Sequence, residues 1–282
     1  MPSVTLVIPT LDSSAFIQQT VRHYHSLLAE VDEIASVIII DDHSTDDTYD
    51  LLLRERDALQ SSIQIVQLRE NCGQLISYQA GNSLATTDLI IHCDDDVLLT
   101  REDLLAYMDA YERSGNILLY GLIAGKNNHR KGRSTFLWLV KTFVFYRLRD
   151  KEFSSLCIYD RTVIEHVFRR AWGFRGNLFT PWIFHPHELG HVELNGGSQV
   201  LPHPSRYSLR GYVHHQKFLL LMLTRLLSLG LLVAIGVCLI SGALRTNALT
   251  VSIAAVVFTI FLVSAFLLKV KSGLEFEIGR RS

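Results

Sequence analysis

Three consecutive carboxylates, Asp94, Asp95 and Asp96, follow the apolar run DLIIHC. Adjacent like charges repel, so a carboxylate cluster at the end of a buried strand needs a cation or several hydrogen-bond donors. Carboxylate oxygens suit Mg²⁺ and Mn²⁺, and such ions often engage phosphates through only one or two carboxylates. The triplet therefore predicts a metal site for the diphosphate of a nucleotide ligand.

A second acidic cluster, Asp41 and Asp42, follows the apolar run VIII. Ser44 and Thr45 come next and are predicted to cap the helix that follows. In an open parallel sheet, ligands bind beyond the carboxyl ends of the strands. Both acidic clusters should therefore lie at the same edge of one sheet.

Apolar runs alternate with helical patterns over residues 1–125. This alternation predicts an α/β fold with a doubly wound, mostly parallel sheet. The predicted strands are VTLVIP, SVIIID, IQIVQL, DLIIHC and ILLYGLI, and the predicted helices lie near 14–30, 46–60, 74–86 and 101–114.

Two uncharged apolar runs, residues 226–244 and 248–268, contain 19 and 21 residues. At about 1.5 Å per helical residue, each would span about 30 Å, the thickness of a bilayer core. A turn of only three residues separates them, which favours a transmembrane hairpin over a buried soluble helix. Residues 206–282 hold nine Lys or Arg and two Glu; eight of these bases flank the hairpin and one lies in its turn. The positive-inside rule therefore predicts that both ends of the hairpin face the cytoplasm.

The predicted organisation is a cytoplasmic catalytic domain over 1–205, a juxtamembrane amphipathic helix over 206–225, the hairpin over 226–268 and a cytoplasmic tail over 269–282. The opening MPSVTLVIPT is typical of a strand and not of a signal peptide. The predicted location is the inner membrane, with a multi-pass chain and both termini in the cytoplasm. The lipid bilayer is a predicted partner, and nucleic acid is not. Whether the protein forms a homo-oligomer stays an open question.

Several other functional classes are disfavoured. The sequence has no GxxxxGK[ST] motif and no GxGxxG after its first strand, which argues against a P-loop enzyme or a dinucleotide oxidoreductase. The stretch HPHELGH brings His185, His187 and His191 close together, but no fourth zinc ligand is evident. The four cysteines show no CxxC spacing, as expected of a reduced cytosolic protein.

The motifs VTLVIPTLDSS, IIIDDHSTDDT, NCGQLISYQAGNSLATTDLIIHCDDDV and SRYSL, in this order and spacing, resemble those of the family 2 inverting glycosyltransferases. Within that family they are most similar to polyprenyl-phosphate sugar transferases of the dolichyl-phosphate mannose synthase and undecaprenyl-phosphate glycosyltransferase type. The resemblance covers about residues 3–245. It implies a GT-A-type fold, a nucleotide-sugar donor that we take to be UDP-linked, and a polyprenyl-phosphate acceptor, taken to be undecaprenyl phosphate.

The resemblance also implies residue roles. Asp94 and Asp96 match the family's DxD pair and would be catalytic and hold Mg²⁺ or Mn²⁺, while Asp95 occupies a position that usually carries a small residue. The implied nucleotide-sugar-binding residues are Pro9, Thr10, Asp12, Asp41, Asp42, Gln74, Asp94 and Asp95. The residues implied to meet the acceptor phosphate are Arg133, Ser134 and Arg206.

A lipid phosphate is already an anion near neutral pH, so it can attack the anomeric carbon without a general base. The protein then has to stabilise the leaving group and align the reactants. Three departures from the family pattern concern Leu98, where a glutamine is usual, Val200, where an arginine is usual, and the missing glycine near His203 and Pro204.

Two other functions stay open. A degenerate, non-catalytic membrane protein that binds a nucleotide sugar is the first alternative, motivated by these departures. A processive polysaccharide synthase is less favoured, because RRAWG at 169–173 does not match the QxxRW motif of those enzymes.

Overall fold

The structure is a computed structural model in which contacts divide the chain into two units. The first comprises residues 1–204 and 276–282, and the second comprises residues 205–275. The described residues are 2–123, 154–162, 188–202, 224, 227–228, 230–232, 235, 253, 255–261 and 278–281.

The first unit holds four helices and ten strands in its described part. The helices are α1 (Ile17–Glu30), α2 (Thr48–Leu59), α3 (Gln74–Leu84) and α4 (Arg101–Ser114). The strands are β1 (Val4–Thr10), β2 (Ile34–Asp41), β3 (Gln64–Leu68), β4 (Leu89–His92), β5 (Val97–Leu98), β6 (Leu118–Ile123), β7 (Cys157–Asp160), β8 (Leu189–Leu194), β9 (Gln199–Val200) and β10 (Ile278–Arg281).

Eight of the strands form one sheet in the order β10-β3-β2-β1-β4-β7-β6-β8. The pairs within β3-β2-β1-β4 and the pair β6-β8 are parallel, whereas β7 runs antiparallel to both β4 and β6. The five strands and four helices predicted from periodicity are all confirmed, so the fold is α/β with a mostly parallel sheet. The strands β5 and β7–β10 were not predicted.

The strand order reverses between β1 and β4, because the chain winds outward from β1 to β3 and then returns to the other side of β1. Ligands of open α/β sheets bind in the crevice at such a switch point. The carboxyl ends of β1 and β4 meet there, which brings the chain after Thr10 close to the chain after His92.

Strand residues alternate between two apolar clusters. Leu6 and Ile8 of β1 pack with residues of α1, α2 and α4 on one face, whereas Val7 packs with Tyr78 of α3 on the other. The contact between α3 and β1 is close, since a Cβ at Gly81 would lie 2.2 Å from Val7 Cγ1. Glycine at this position therefore lets α3 approach the sheet and sets the depth of Tyr78.

A second, two-stranded ladder lies beside the acidic triplet. In it β5 pairs antiparallel with β9, with Val97 opposite Val200 and Leu98 opposite Gln199. The turn before β9 is held by Asp103 of α4, whose two carboxylate oxygens accept from Gly196 N at 2.6 Å and Ser198 N at 2.9 Å.

The C-terminal residues 278–281 form β10, which pairs antiparallel with β3 at the edge of the sheet. These residues belong to the tail predicted over 269–282. A strand of four residues carries too little periodicity to be predicted, and it covers backbone groups that β3 would otherwise expose.

Most of the predicted hairpin over 226–268, and all but one residue of the predicted amphipathic helix over 206–225, lie outside the described residues. None of the helices in the described part of the chain reaches the length and hydropathy that a bilayer crossing needs.

Candidate functional site

The acidic triplet lies in the turn between β4 and β5, at the switch point of the sheet. Backbone bonds from Cys93 N to Val7 O and from Val97 N to Asp94 O fix both ends of this turn. All three carboxylate side chains are buried, Asp95 completely. Buried carboxylates must be compensated by donors or by a cation, so their partners indicate what each one does.

Asp94 is oriented by three side chains from two different elements. Gln74 Nε2 donates to Asp94 Oδ1 at 2.7 Å, and Tyr78 OH lies 3.4 Å from the same oxygen. Ser155, just before β7, donates its hydroxyl to Asp94 Oδ2. The predicted site residues Gln74 and Asp94 are thus brought together, whereas Tyr78 and Ser155 were missed.

Asp95 holds the loop between β1 and α1. Its Oδ2 accepts from Thr10 Oγ1 at 2.6 Å and from Ser13 Oγ at 2.5 Å, and its backbone carbonyl accepts from Thr20 Oγ1 at 2.7 Å. The completely buried side chain therefore ties the predicted nucleoside loop to the acidic turn. Its role in nucleotide-sugar binding stays a prediction.

Asp96 lies next to the two-stranded ladder. Its carbonyl accepts from Leu201 N at 2.7 Å, so the chain that leaves β9 is fastened to the acidic turn. Leu98, where the family pattern has a glutamine, packs with Phe16 and Leu201 in a small apolar cluster. Leu98 thus has a packing role in the ladder.

The other acidic cluster lies at the end of β2. Asp41 accepts from Ser44 N and Ser44 Oγ, and from Gln67 Nε2 at 2.8 Å. Asp42 accepts from the backbone amides of Cys72 at 2.8 Å and Gly73 at 2.7 Å. Burial raises the pKa of both carboxyl groups, that of Asp42 to about 6.

Asp42 and Asp94 are connected through the start of α3. Gly73, whose φ of 91° is in the region that favours glycine, presents its amide to Asp42. The next residue, Gln74, donates to Asp94. The two adjacent residues at the start of α3 are therefore bonded to different acidic clusters.

The loops after β1 and β2 are held together by the predicted residue Asp12. Its Oδ1 accepts from Thr45 N at 2.7 Å, while its own amide donates to Ser44 Oγ at 2.9 Å. The prediction that Ser44 and Thr45 cap α2 is wrong, because these residues bond to other loops. Asp46 Oδ1 instead accepts from Thr48 N at 3.0 Å, at the first residue of the helix.

Pro9 and Thr10, the remaining predicted donor residues, end β1 opposite Ile40 and Asp41 of β2. Both are buried, and Thr10 faces Asp95 as described above. The predicted acceptor residues Arg133, Ser134 and Arg206 lie outside the described residues.

Tyr78 connects Asp94 to a buried polar cluster. The rings of Tyr78 and His92 stack with centroids 3.8 Å apart, and His92 Nε2 lies 3.0 Å from Asn82 Oδ1. Tyr159 of β7 bonds to His92 and to Asn82. Burial lowers the pKa of His92 well below its ordinary value and raises the pKa of Tyr78 well above it. Both groups are therefore neutral near pH 7, and Tyr78 keeps its donor hydrogen.

The chemistry of this site suits a divalent cation bound to phosphate. The donors described for Asp94 and Asp95 are neutral hydroxyl and amide groups, which orient the carboxylates without cancelling their charge. Among the described residues, no group of three His, Cys, Asp or Glu side chains is arranged to hold a metal by itself. An ion here would take further oxygens from a diphosphate, as Mg²⁺ commonly does.

Comparison with known families decides the assignment. The family model for glycosyl transferase family 2 matches residues 5–170, more than half of the chain. The chain belongs to glycosyl transferase family 2. The prediction made from the motifs is thereby confirmed, and the matched range includes both acidic clusters of this family 2 transferase.

Relatives of known name match the transferase over a shorter stretch. Undecaprenyl-phosphate 4-deoxy-4-formamido-L-arabinose transferases from Sodalis glossinidius and Klebsiella pneumoniae are 30% and 32% identical over 94 residues. In both cases the match covers 33% of this chain and 29% of the relative. The similarity therefore spans less than a third of the length of these relatives.

Two solved structures share the fold. Mannosyl-3-phosphoglycerate synthase from Rubrobacter xylanophilus has a TM-score of 0.57 at 14% identity, covering 76% of this chain and 70% of that chain. Glucosyl-3-phosphoglycerate synthase from Mycobacterium tuberculosis, in complex with Mn²⁺, UDP-glucose and phosphoglyceric acid, has a TM-score of 0.53 at 17% identity, covering 72% and 73%. At this identity the likeness shows a common GT-A-type α/β fold.

Proposed function

We propose that this family 2 transferase moves a sugar from a nucleotide diphosphate sugar to a polyprenyl phosphate. The observation that carries the proposal is the buried acidic turn at the switch point, in which Asp94 is oriented by Gln74 and Ser155. Family membership supports sugar transfer. The names of the matched relatives support undecaprenyl phosphate as the acceptor. The donor that we favour is a UDP-linked sugar.

The donor would bind with its diphosphate at the acidic turn and its nucleoside in the loop after β1. Asp94 and Asp96 would hold Mg²⁺ or Mn²⁺, and the bound ion would neutralise charge on the departing nucleoside diphosphate. Thr10 and Asp12 lie in the loop that Asp95 and Thr45 fasten. Asp41 pairs with Thr10 where β1 and β2 end, and it would contact the base or the ribose.

The reaction needs no general base under this proposal. A phosphate monoester near neutral pH carries an anionic oxygen that can attack the anomeric carbon as the bond to the diphosphate breaks. The chain then contributes alignment and electrostatic stabilisation, both of which depend on a rigid site. The neutral, buried cluster of Tyr78, His92 and Tyr159 provides such rigidity beneath Asp94.

The acceptor phosphate would meet the basic residues Arg133 and Arg206, together with Ser134. Arginine suits this role because its planar fork matches phosphate oxygens. Arg206 follows Leu201 by five residues, and Leu201 N is bonded to Asp96 O.

Membrane association is supported by the described residues of the second unit. Six large apolar side chains there are exposed, with Leu227 at 73% and Val256 at 60%. The hydroxyls of Ser228 and Thr259 donate to the carbonyls of Thr224 and Ala255, four residues earlier. Hydroxyls satisfied within their own helix suit an apolar surrounding. The six exposed residues are Leu227, Leu231, Ile253, Val256, Phe258 and Ile260.

The path of the chain favours a hairpin. The first unit ends at residue 204 and resumes at residue 276, where β10 joins the same sheet as β3. A segment that leaves and rejoins one folded unit crosses a bilayer an even number of times. Two spans at 226–244 and 248–268, with both termini in the cytoplasm, satisfy this condition.

The test is turnover by the full chain in detergent, with undecaprenyl phosphate and a panel of UDP and GDP sugars in the presence of Mn²⁺. We expect a sugar-linked lipid phosphate from at least one donor, identified by mass spectrometry. 3-Phosphoglycerate serves as a water-soluble acceptor control, since it would reveal transfer that needs no lipid. Absence of a sugar-linked lipid with every donor would contradict the proposal, whether or not 3-phosphoglycerate accepts a sugar.

A non-catalytic role is the second candidate, favoured by the packing of Leu98 into an apolar cluster where the family has a glutamine. In that case the chain would bind a UDP sugar with Mn²⁺ but form no product. Binding measured calorimetrically on the same preparation separates the two functions.

A further inference from the structure

We propose that Ser155 is a positioning residue for the donor site. Its hydroxyl would fix the orientation of Asp94 and thereby set the affinity for the metal–nucleotide complex. This inference rests on the proposed function, and it concerns a residue that the motifs do not single out. It also gives the antiparallel strand β7 a role in the site.

The backbone register brings Ser155 to the acidic turn. Strand β7 runs antiparallel to β4, with Cys157 opposite His92. In an antiparallel pair, two further steps along each strand bring residues 155 and 94 opposite each other. Strand pairing therefore brings Ser155 next to Asp94, and its hydroxyl donates to Asp94 Oδ2.

The donors of Asp94 are divided between its two oxygens. Gln74 and Tyr78, both on α3, approach Oδ1, whereas Ser155, in the segment before β7, donates to Oδ2. A carboxylate that is held at both oxygens cannot rotate about its terminal torsion. Loss of the Ser155 hydroxyl removes the donor that the segment before β7 supplies to Oδ2.

The position of Ser155 along the chain also matters. It comes two residues after the segment 124–153, which carries Arg133 and Ser134 of the proposed acceptor site. Ser154 differs in its bonding, since its hydroxyl accepts from Leu156 N at 3.2 Å within the same turn. The two adjacent serines therefore form a natural pair for a test, one bonded to Asp94 and one bonded locally.

The experiment measures Mn²⁺ affinity at saturating UDP on the full chain in detergent, by calorimetry or by the Mn²⁺ electron paramagnetic resonance signal. Ser155→Ala is expected to weaken Mn²⁺ binding by roughly tenfold or more, the usual effect of removing a hydrogen bond to a metal-ligating carboxylate. Ser155→Thr keeps the hydroxyl and should remain near the wild-type affinity. Ser154→Ala is the matched control and should also remain near it.

Melting temperatures of the same preparations separate positioning from folding. Unchanged Mn²⁺ affinity in Ser155→Ala would overturn the inference and leave the proposed function standing. Equal losses in Ser155→Ala, Ser155→Thr and Ser154→Ala, with lowered melting temperatures, would also overturn it. Should Ser155→Ala fail to fold, Ser155→Cys offers a side chain of similar shape with a weak donor and the same expected loss. A wild-type chain that binds neither UDP nor GDP with Mn²⁺ would overturn the proposed function and this inference together.

Discussion

The two acidic clusters at the edge of the sheet are stabilised in different ways. At the end of β2, Asp42 accepts from two backbone amides, and Asp41 accepts from the nearby Ser44 and from Gln67 of the adjacent strand. At the end of β4, Asp94 accepts from side chains of α3 and from Ser155, two residues before β7. Asp95 accepts from Thr10 at the end of β1 and from Ser13 in the loop after it. Backbone donors are present whatever the sequence, whereas side-chain donors can be lost by a single substitution.

This difference indicates that the β2 cluster mainly fixes the backbone of nearby loops. The β4 cluster instead binds side chains from segments that are distant in sequence. Asp94 and Ser155 are separated by 61 positions, and Asp95 and Thr10 by 85. The geometry of Asp94 and Asp95 is therefore more sensitive to single side-chain changes than that of Asp42, which backbone amides hold. Substitutions at matched positions in the two clusters can test this comparison.

The largest contrast is expected for turnover. Asp94→Asn removes charge from the proposed metal site and should lower kcat by at least about 100-fold, the usual cost of losing one electrostatic stabiliser of the transition state. Asp41→Asn should act mainly through nucleotide affinity and change kcat much less. Steady-state kinetics with varied donor concentration measures both, and equal losses of kcat would remove the distinction between the clusters.

The next contrast concerns stability. Asp95→Ala leaves the buried hydroxyls of Thr10 and Ser13 without their acceptor, at a cost of about 2–4 kcal/mol. Asp42→Ala leaves two backbone amides without their acceptor, but these amides lie in a half-buried loop that water can reach. We therefore expect the free energy of unfolding to fall by only about 1–2 kcal/mol. Thermal unfolding in detergent should show a clearly lower melting temperature for Asp95→Ala. A larger loss for Asp42→Ala would reverse the proposed roles.

A smaller contrast uses two glutamines with similar geometry. Gln74 Nε2 lies 2.7 Å from Asp94 Oδ1, and Gln67 Nε2 lies 2.8 Å from Asp41 Oδ2. Gln74→Leu should weaken Mn²⁺ binding by roughly tenfold, whereas Gln67→Leu should weaken UDP binding measured without metal. Titrations of each variant with Mn²⁺ and UDP decide this, and the idea fails if both variants change the same constant.

The smallest effect is a pH dependence of stability. Burial raises the pKa of Asp42 to about 6, above its value in the unfolded chain. Between the unfolded pKa and about pH 6 the folded state binds more protons, so this residue's contribution to stability falls as pH rises, by at most about 1.4 kcal/mol per pH unit. Asp42→Asn should remove this component from unfolding curves recorded between pH 4 and 7. Parallel curves for the wild type and the variant would contradict the assignment.

Periodicity predicted the elements that frame the site. The strands β1–β4 and β6 and the four helices carry regular apolar patterns, and a parallel sheet fixes where their carboxyl ends lie. Acidic residues after β2 and β4 could therefore be placed at one edge. Strand β7 was missed because it is short and pairs with β4 over a long separation in sequence, and Ser155 was missed with it.

Local sequence also could not show which way each carboxylate of the triplet points. Asp95 is completely buried because the turn after β4 directs it toward Thr10 and Ser13, which come from the other end of the domain's sequence. In the same way, Ser44 and Thr45 match a capping pattern but bond to Asp12 in the loop after β1. Long-range hydrogen bonds outweighed the local preference in both cases.

The most direct test of the account is UDP binding to the full chain in detergent, titrated with Mn²⁺ and again with EDTA, for the wild type and for Asp96→Asn. Asp96 is proposed to hold the metal on the diphosphate, and unlike Asp95 it matches a position of the DxD pair. We predict that Mn²⁺ strengthens UDP binding to the wild type and that Asp96→Asn loses this strengthening while keeping the melting temperature. Full Mn²⁺-dependent binding by Asp96→Asn would contradict the account.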